Sequence, residues 1–305
     1  MNKLVVDRKI LETETLKNLR NSKAANTIRA YKADFRDFVN FCERNNFSSM
    51  PTDPKTLTFY LTFLSKNSKF STLKRRLASI SVIHKSKGHH IDMRHPLIIE
   101  NLMGIKRALG SNQKSKKPIL INDLKNIINK IDQSKFNFLK KLRDKALILV
   151  GFAGGFRRSE LVVIHTDDVE FVSEGVKIFV KRSKTDQSGE GMVKAIPFFI
   201  NENYCPVKSL KTWINQSNIK SGKIFNMSDK SVALIIKKYV ELSGMDPKKY
   251  AGHSLRSGFA TTAAESGAEE RNIMAMTGHK TTQMVRRYIH EGNLFKNNAL
   301  NKIKI

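Results

Sequence analysis

The stretch Gly252–His290, GHSLRSGFATTAAESGAEERNIMAMTGHKTTQMVRRYIH, decides how the chain is read. It holds a His-x-x-Arg pair, His253 and Arg256, then Gly278-His279, and nine residues beyond that histidine a tyrosine, Tyr288. Its apolar spacing predicts helices over His253–Ser266, Glu269–Met276 and Thr281–His290. Residues at i and i+3 share a helix face, so His253 and Arg256 present their side chains to one site. Tyr288 lies on an apolar stripe with Met284, Val285 and Ile289 and, taken alone, reads as a core residue. A lone His-x-x-Arg is equally weak evidence. The combination carries the weight.

A hundred residues upstream, Gly155-Phe156-Arg157-Arg158-Ser159-Glu160-Leu161 adds a second basic motif. A guanidinium stays charged at any working pH, and its planar fork holds two phosphate oxygens. Arg157 and Arg256 are therefore a candidate clamp for the charge that develops on a phosphodiester under attack. Tyr288 is the candidate nucleophile, a phenol of ordinary pKa about 10 that needs cations and a histidine to favour its anion. His279 or His253 would assist it. The expelled sugar hydroxyl needs a proton. Lys184, in the turn Arg182-Ser183-Lys184-Thr185-Asp186, is the candidate acid, and Lys181 and Lys194 compete for the role. Asp167, Asp168 and Glu170 sit at a turn where acids are ordinary, which disfavours a metal site. No Gly-x-x-x-x-Gly-Lys-Ser/Thr loop is present, which disfavours ATP use. No cofactor is expected.

The rest of the chain says what the site acts on. Lys+Arg number 55 against Asp+Glu 27, a formal charge of +28, and such an excess points to a polyanion whose counterions are released on binding. The charge is shared, +15 over residues 1–117 and +13 over residues 118–305. A membrane surface is the weaker alternative, because no run approaches the roughly 18 apolar residues of a span. Cys42 and Cys205 are the only cysteines, which disfavours a disulfide framework and fits a reducing compartment. The N-terminus lacks the apolar region of a secretory signal, and a cytoplasmic, nucleoid-associated protein is expected.

Residues 1–24 read as a polar, partly mobile extension. From Ala25, Ile28, Tyr31, Phe35, Phe38, Val39 and Cys42 form a helical stripe, with Arg29, Lys32 and Arg36 on an adjacent face. Ser71–His84 reads as a capped amphipathic helix carrying Lys74, Arg75 and Arg76 near its start. These six cations are the candidate DNA-backbone contacts, a solvated basic face being the plainer account. Residues 25–110 thus read as an all-helical DNA-binding domain. The run 111–118, polar and ending in proline, reads as a linker, and residues 119–305 as a mixed α+β domain. Its strands are expected at Asp168–Phe171, Val176–Lys181 and Val193–Phe198, with a turn over Ser183–Gly191. The expected class is mainly α with a small three-stranded antiparallel sheet.

With RRSEL, a hairpin lysine, HxLR, GH and the late tyrosine in that order, the chain resembles the tyrosine recombinases, or phage integrases, from about Pro118 to Ile289. It resembles their core-binding domain more loosely over 25–110, in a two-domain layout of the Cre and Xer type. The resemblance assigns the catalytic roles to Arg157, Lys184, His253, Arg256, His279 and the nucleophile Tyr288, with Glu160 as the supporting acid. One departure is Gly154-Gly155-Phe156 where the family more often has Thr-Gly-Leu, a change expected to alter packing and not chemistry. The resemblance implies a homotetramer on double-stranded DNA that forms a 3′-phosphotyrosine and exchanges strands through a Holliday junction without metal or ATP. It also suggests that the apolar tail, Leu294, Phe295, Ala299, Leu300 and Ile303, docks on a neighbouring protomer. The alternatives are a type IB topoisomerase, which relaxes DNA alone, and a non-catalytic DNA-binding protein.

Overall fold

The structure, a computed structural model, describes residues 8–110, 116–181, 191–293 and 303. The chain divides into two compact units, Met1–Lys114 and Ser115–Ile305.

In the first unit, α1 spans Arg8–Asn21, where the sequence suggested only a polar extension. α2 (Ala25–Arg44) buries Phe38, Phe41 and Cys42, and Ile28, Tyr31, Phe35 and Val39 flank that face. α3 (Pro54–Ser65) begins where Asp53 accepts from the Thr56 amide and hydroxyl, with proline in the first turn. α4 (Phe70–Ser86) and α5 (Pro96–Leu109) complete a core that includes Tyr60, Leu73, Ile80 and Ile98. α4 departs from expectation at its start: it begins at Phe70, so Ser71 lies inside the helix and no side chain caps it.

The second unit is built around α7 (Phe138–Ala153), whose last eight residues, Ala146–Ala153, are all buried. α6 (Ile121–Gln133) covers it with Leu124, Ile127, Ile128 and Ile131. α8 (Arg158–Leu161) is a single turn leading to β1 (Val169–Val172), β2 (Gly175–Val180) and β3 (Met192–Pro197), an antiparallel sheet in the order β1-β2-β3. Val176, Ile178 and Val180 of β2 face the core, and so do Lys194 and Ile196 of β3, with Ile178 opposite Lys194. α9 (Pro206–Gln216) and α10 (Asp229–Leu242) close the body; Tyr239 of α10 donates to the fully buried Asp144 at 2.9 Å. α11 (Ser254–Glu265) packs so close to residue 119 that a Cβ on Gly258 would lie 1.9 Å from the Ile119 carbonyl oxygen. α12 (Glu270–Thr277) and α13 (Thr282–Asn293) follow, packed on α11 through a small cluster of Ala260, Ala264, Ile273 and Val285. The expected class, mainly helical with a three-stranded antiparallel sheet, holds. Both cysteines are free and buried.

Candidate active site

The site forms where the C-terminal end of α7 meets the start of α11. α7 stops at Gly154-Gly155 because the chain must turn sharply there: Gly155 has φ of 54°, and a Cβ on Gly154 would fall 2.2 Å from the Phe156 ring. The turn delivers Arg157 to the start of α8. Glu160, 2% exposed, fixes it twice, accepting from the Arg157 amide at 2.9 Å and from its guanidinium at 2.6 Å. Arg158 points elsewhere, lying against Gly252, where a Cβ would sit 1.8 Å from its Cδ.

Arg256 projects from α11 and is fully buried, a rare state for a guanidinium. Its Nη1 donates to the Gly155 carbonyl at 2.9 Å, while Nε and Nη2 find no hydrogen-bond partner among the described residues. Burial first, and then the Arg157 charge, push its pKa down to about 10. Leaving buried charged donors unmet costs several kcal/mol, a cost that anionic oxygens entering the site would remove.

His253 precedes α11 and keeps an open edge to solvent. Its Nε2 lies 3.3 Å from the Tyr288 hydroxyl. Tyr288 is half-buried on the cluster that anchors α13, and the His279 ring lies beside it, centroids 5.9 Å apart. His279 is set by the end of α12, where Gly278 in the left-handed region closes the helix. The Thr277 hydroxyl donates to the Ile273 carbonyl at 2.6 Å, so at 2.7 Å it accepts from Nδ1–H of His279. Neutral His279 therefore carries its proton on Nδ1 and leaves Nε2 bare. Burial and the charges of Arg256 and Arg157, then His253 and Lys194, push its pKa down to about 4. Desolvation by the packed protein and the charges of Arg256, Arg157 and Arg158 also lower that of His253. At neutral pH both rings are able to accept a proton.

Arg157, Glu160, His253, Arg256, His279 and Tyr288 thus converge, and Lys184 lies outside the described residues. The two lysines that competed with it are committed elsewhere. Lys181 pairs with Asp168 at 2.6 Å, at the foot of the hairpin. Lys194 is fully buried, donating to the Gly154 carbonyl at 2.7 Å and to the Met276 carbonyl, with the Phe156 ring centroid 4.7 Å from its Nζ. Gly154-Gly155-Phe156, expected to differ in packing, places an aromatic ring and a bare turn around a buried cation beside the site. From sequence Lys194 was weighed only as a candidate acid and not as an inward-facing side chain, and Thr277 was not singled out. The alternation of β3 carried the signal for the lysine, since Lys194 shares a face with Ile196. No cluster of three His, Cys, Asp or Glu side chains among the described residues is arranged to hold a metal ion.

In the first unit, Arg29, Lys32, Arg36, Lys74 and Arg75 are exposed. Arg75 nevertheless pairs with the buried Asp34, and Arg76 is held by Asp37 and Tyr60. The α2 face is the more available of the two basic faces. Of the expected tail, residues 294–302 lie outside the described residues, and Ile303 is exposed. No described helix is long and apolar enough to cross a membrane.

A profile of the phage integrase family matches residues 117–293. The chain is 40% identical over 317 residues to an "Integrase/recombinase xerD homolog" of Selenomonas ruminantium, covering 99% of this chain and 92% of the relative. Its fold is similar to that of the Tn1549 transposon integrase solved with transposon right end DNA, with a TM-score of 0.66 at 15% identity over 94% of this chain and 98% of that one. It is also similar to the XerH site-specific recombinase solved on its difH substrate, with a TM-score of 0.64 at 15% identity over 82% and 72%.

Proposed function

The chain belongs to the phage integrase family and is a tyrosine-type site-specific recombinase, and from that premise we propose how its own residues cut and rejoin DNA. The Tyr288 hydroxyl attacks the scissile phosphorus and passes its proton to Nε2 of His253. The phosphorus–O5′ bond breaks as the phosphorus–Oη bond forms, leaving a 3′-phosphotyrosine. Lys184, the hairpin lysine, protonates the departing 5′ oxygen. Arg157, Arg256 and His279 hold the phosphate oxygens, and Glu160 keeps Arg157 in place. Attack by a 5′ hydroxyl of the exchanged strand then reverses the step and frees Tyr288. The phosphotyrosine conserves the energy of the broken bond, so neither ATP nor a metal is required.

The observation that carries this reading is Arg256: fully buried, with two guanidinium nitrogens unmet and a tyrosine–histidine pair beside it. A phosphodiester supplies what those donors lack. Double-stranded DNA is the partner, four copies act on two sites through a Holliday junction, and the basic helical unit holds the duplex while the second unit reacts. The setting is the cytoplasm, on the nucleoid.

Supercoiled plasmid carrying one or two copies of a site captured by the protein tests the reading. Two-site plasmid should yield recombinants whose products depend on site orientation. Relaxation of a one-site plasmid with no recombinant from two sites would instead mark a topoisomerase, and binding with neither product would mark a DNA-binding protein.

A further inference from the structure

Lys194 is assigned no step in the proposed cleavage, and unlike Lys181 it is fully buried. Its ammonium lies between two turns that carry site residues. One is Gly154-Gly155-Phe156-Arg157, and Lys194 Nζ donates to the Gly154 carbonyl at 2.7 Å while Arg256 donates to the next carbonyl, Gly155, at 2.9 Å. The other is Met276-Thr277-Gly278-His279, where Nζ donates to the Met276 carbonyl. The two turns also lie close together: a Cβ on Gly155 would lie 3.2 Å from Thr277 Cγ2, and Thr277 is the residue that holds His279. β3 also runs close to the second turn at Met192, where a Cβ on Gly278 would lie 3.1 Å from the Met192 sulfur.

We propose that Lys194 is a positioning residue: by bridging the carbonyls of Gly154 and Met276 from β3, it fixes His279 against the Arg157 and Arg256 turn. The inference rests on the reading of this site as a recombinase centre and assigns a role to a side chain outside its reacting groups. The environment is built for a cation that stays put. The Phe156 ring faces the ammonium, and Gly154 has no Cβ to displace that ring. The buried Glu160 carboxylate favours the charge, whereas burial and the charges of Arg256 and Arg157 oppose it and push the Lys194 pKa down to about 7. Even the neutral amine keeps two N–H donors, one for each carbonyl. Removing the amine takes the donor from the buried Gly154 carbonyl and from the part-buried Met276 carbonyl, one in each of the turns that must hold their place.

The test compares wild type with Lys194→Met and Lys194→Arg as full-length proteins. The imidazole titrations are followed by NMR without DNA, and covalent adduct formation is followed on a nicked duplex captured by the wild type from a random-sequence pool. In Lys194→Met, His279 should titrate at least about one pH unit higher, as its turn opens to water and the Lys194 charge that lowers it is lost. Adduct formation should slow by at least about tenfold, the scale expected for a misplaced reacting group, with duplex affinity within about twofold. Lys194→Arg, which keeps a charged donor, should restore most of both. A His279 titration unchanged in folded Lys194→Met overturns the proposal. If that variant does not fold, the wild-type Lys194 amine decides: titration well below the surface lysines supports the tether, and titration with them near about 10.4 overturns it. A wild type that forms no adduct contradicts the recombinase reading instead, and the histidine titration still decides the tether.

Discussion

His279 sheds its proton well before neutrality, and that property has a measurable consequence. Its pKa is about 4 in the folded protein against an ordinary 6.5, burial being the largest cause. Between those values the unfolded chain binds the proton and the native protein does not, so stability is complete above about pH 6.5 and falls as pH drops towards 4. Urea denaturation across that window should show the decline in wild type and a shallower one in His279→Gln; His253, shifted the same way, keeps part of the slope. An identical slope in both proteins would contradict the account. In the proposed reaction a phosphate would offer only acceptors to the bare Nε2, so holding it requires His279 to take up a proton. The motif residues were legible at this scale because Arg157, His253, Arg256, His279 and Tyr288 have a fixed order and chemistry. Thr277 was not, and Lys194 was read only as a candidate acid, because each acts through a backbone or side-chain partner that only the fold brings near.

At the scale of elements, α13 matters most, since it carries Tyr288. A helix of 12 residues is marginal in water by itself, and its fully buried anchor among the described residues is Val285, in the cluster with Ala260, Ala264 and Ile273. Val285→Asp places an unpaired charge in that cluster and should undock α13, lowering adduct formation by roughly 100-fold or more, the scale of losing a positioned nucleophile. The larger core of the second unit should still unfold cooperatively, and Val285→Ile should keep activity. Adduct formation within about twofold of wild type in Val285→Asp would contradict the anchor. Helices such as Pro96–Leu109 and Pro206–Gln216 were readable to the residue because proline marks their starts. α1, with only a weak apolar face, gave no such signal, and α4 begins without a capping side chain. The strands fell within a residue or two of expectation because alternation survives on a sheet with one buried face.

For the whole molecule, charge and connectivity carry the account. A net +28 spread over both units predicts binding that weakens steeply with salt. Arg29, Lys32 and Arg36 remain exposed on α2, whereas Arg75 and Arg76 are paired within their own unit. Replacing the three α2 cations with alanine should reduce the slope of log affinity against log salt by about 2 to 3, since each phosphate no longer neutralised lowers it by about 0.9, without changing sequence preference. An unchanged slope would remove that face from the duplex. The most direct test falls on Tyr288 as the nucleophile. Incubation of radiolabelled captured duplex with wild type and Tyr288→Phe, followed by denaturing electrophoresis and peptide mapping, measures it directly. A denaturant-stable adduct mapping to Tyr288 in wild type and absent from Tyr288→Phe is the predicted result; an adduct that persists in Tyr288→Phe, or maps to another residue, would contradict it.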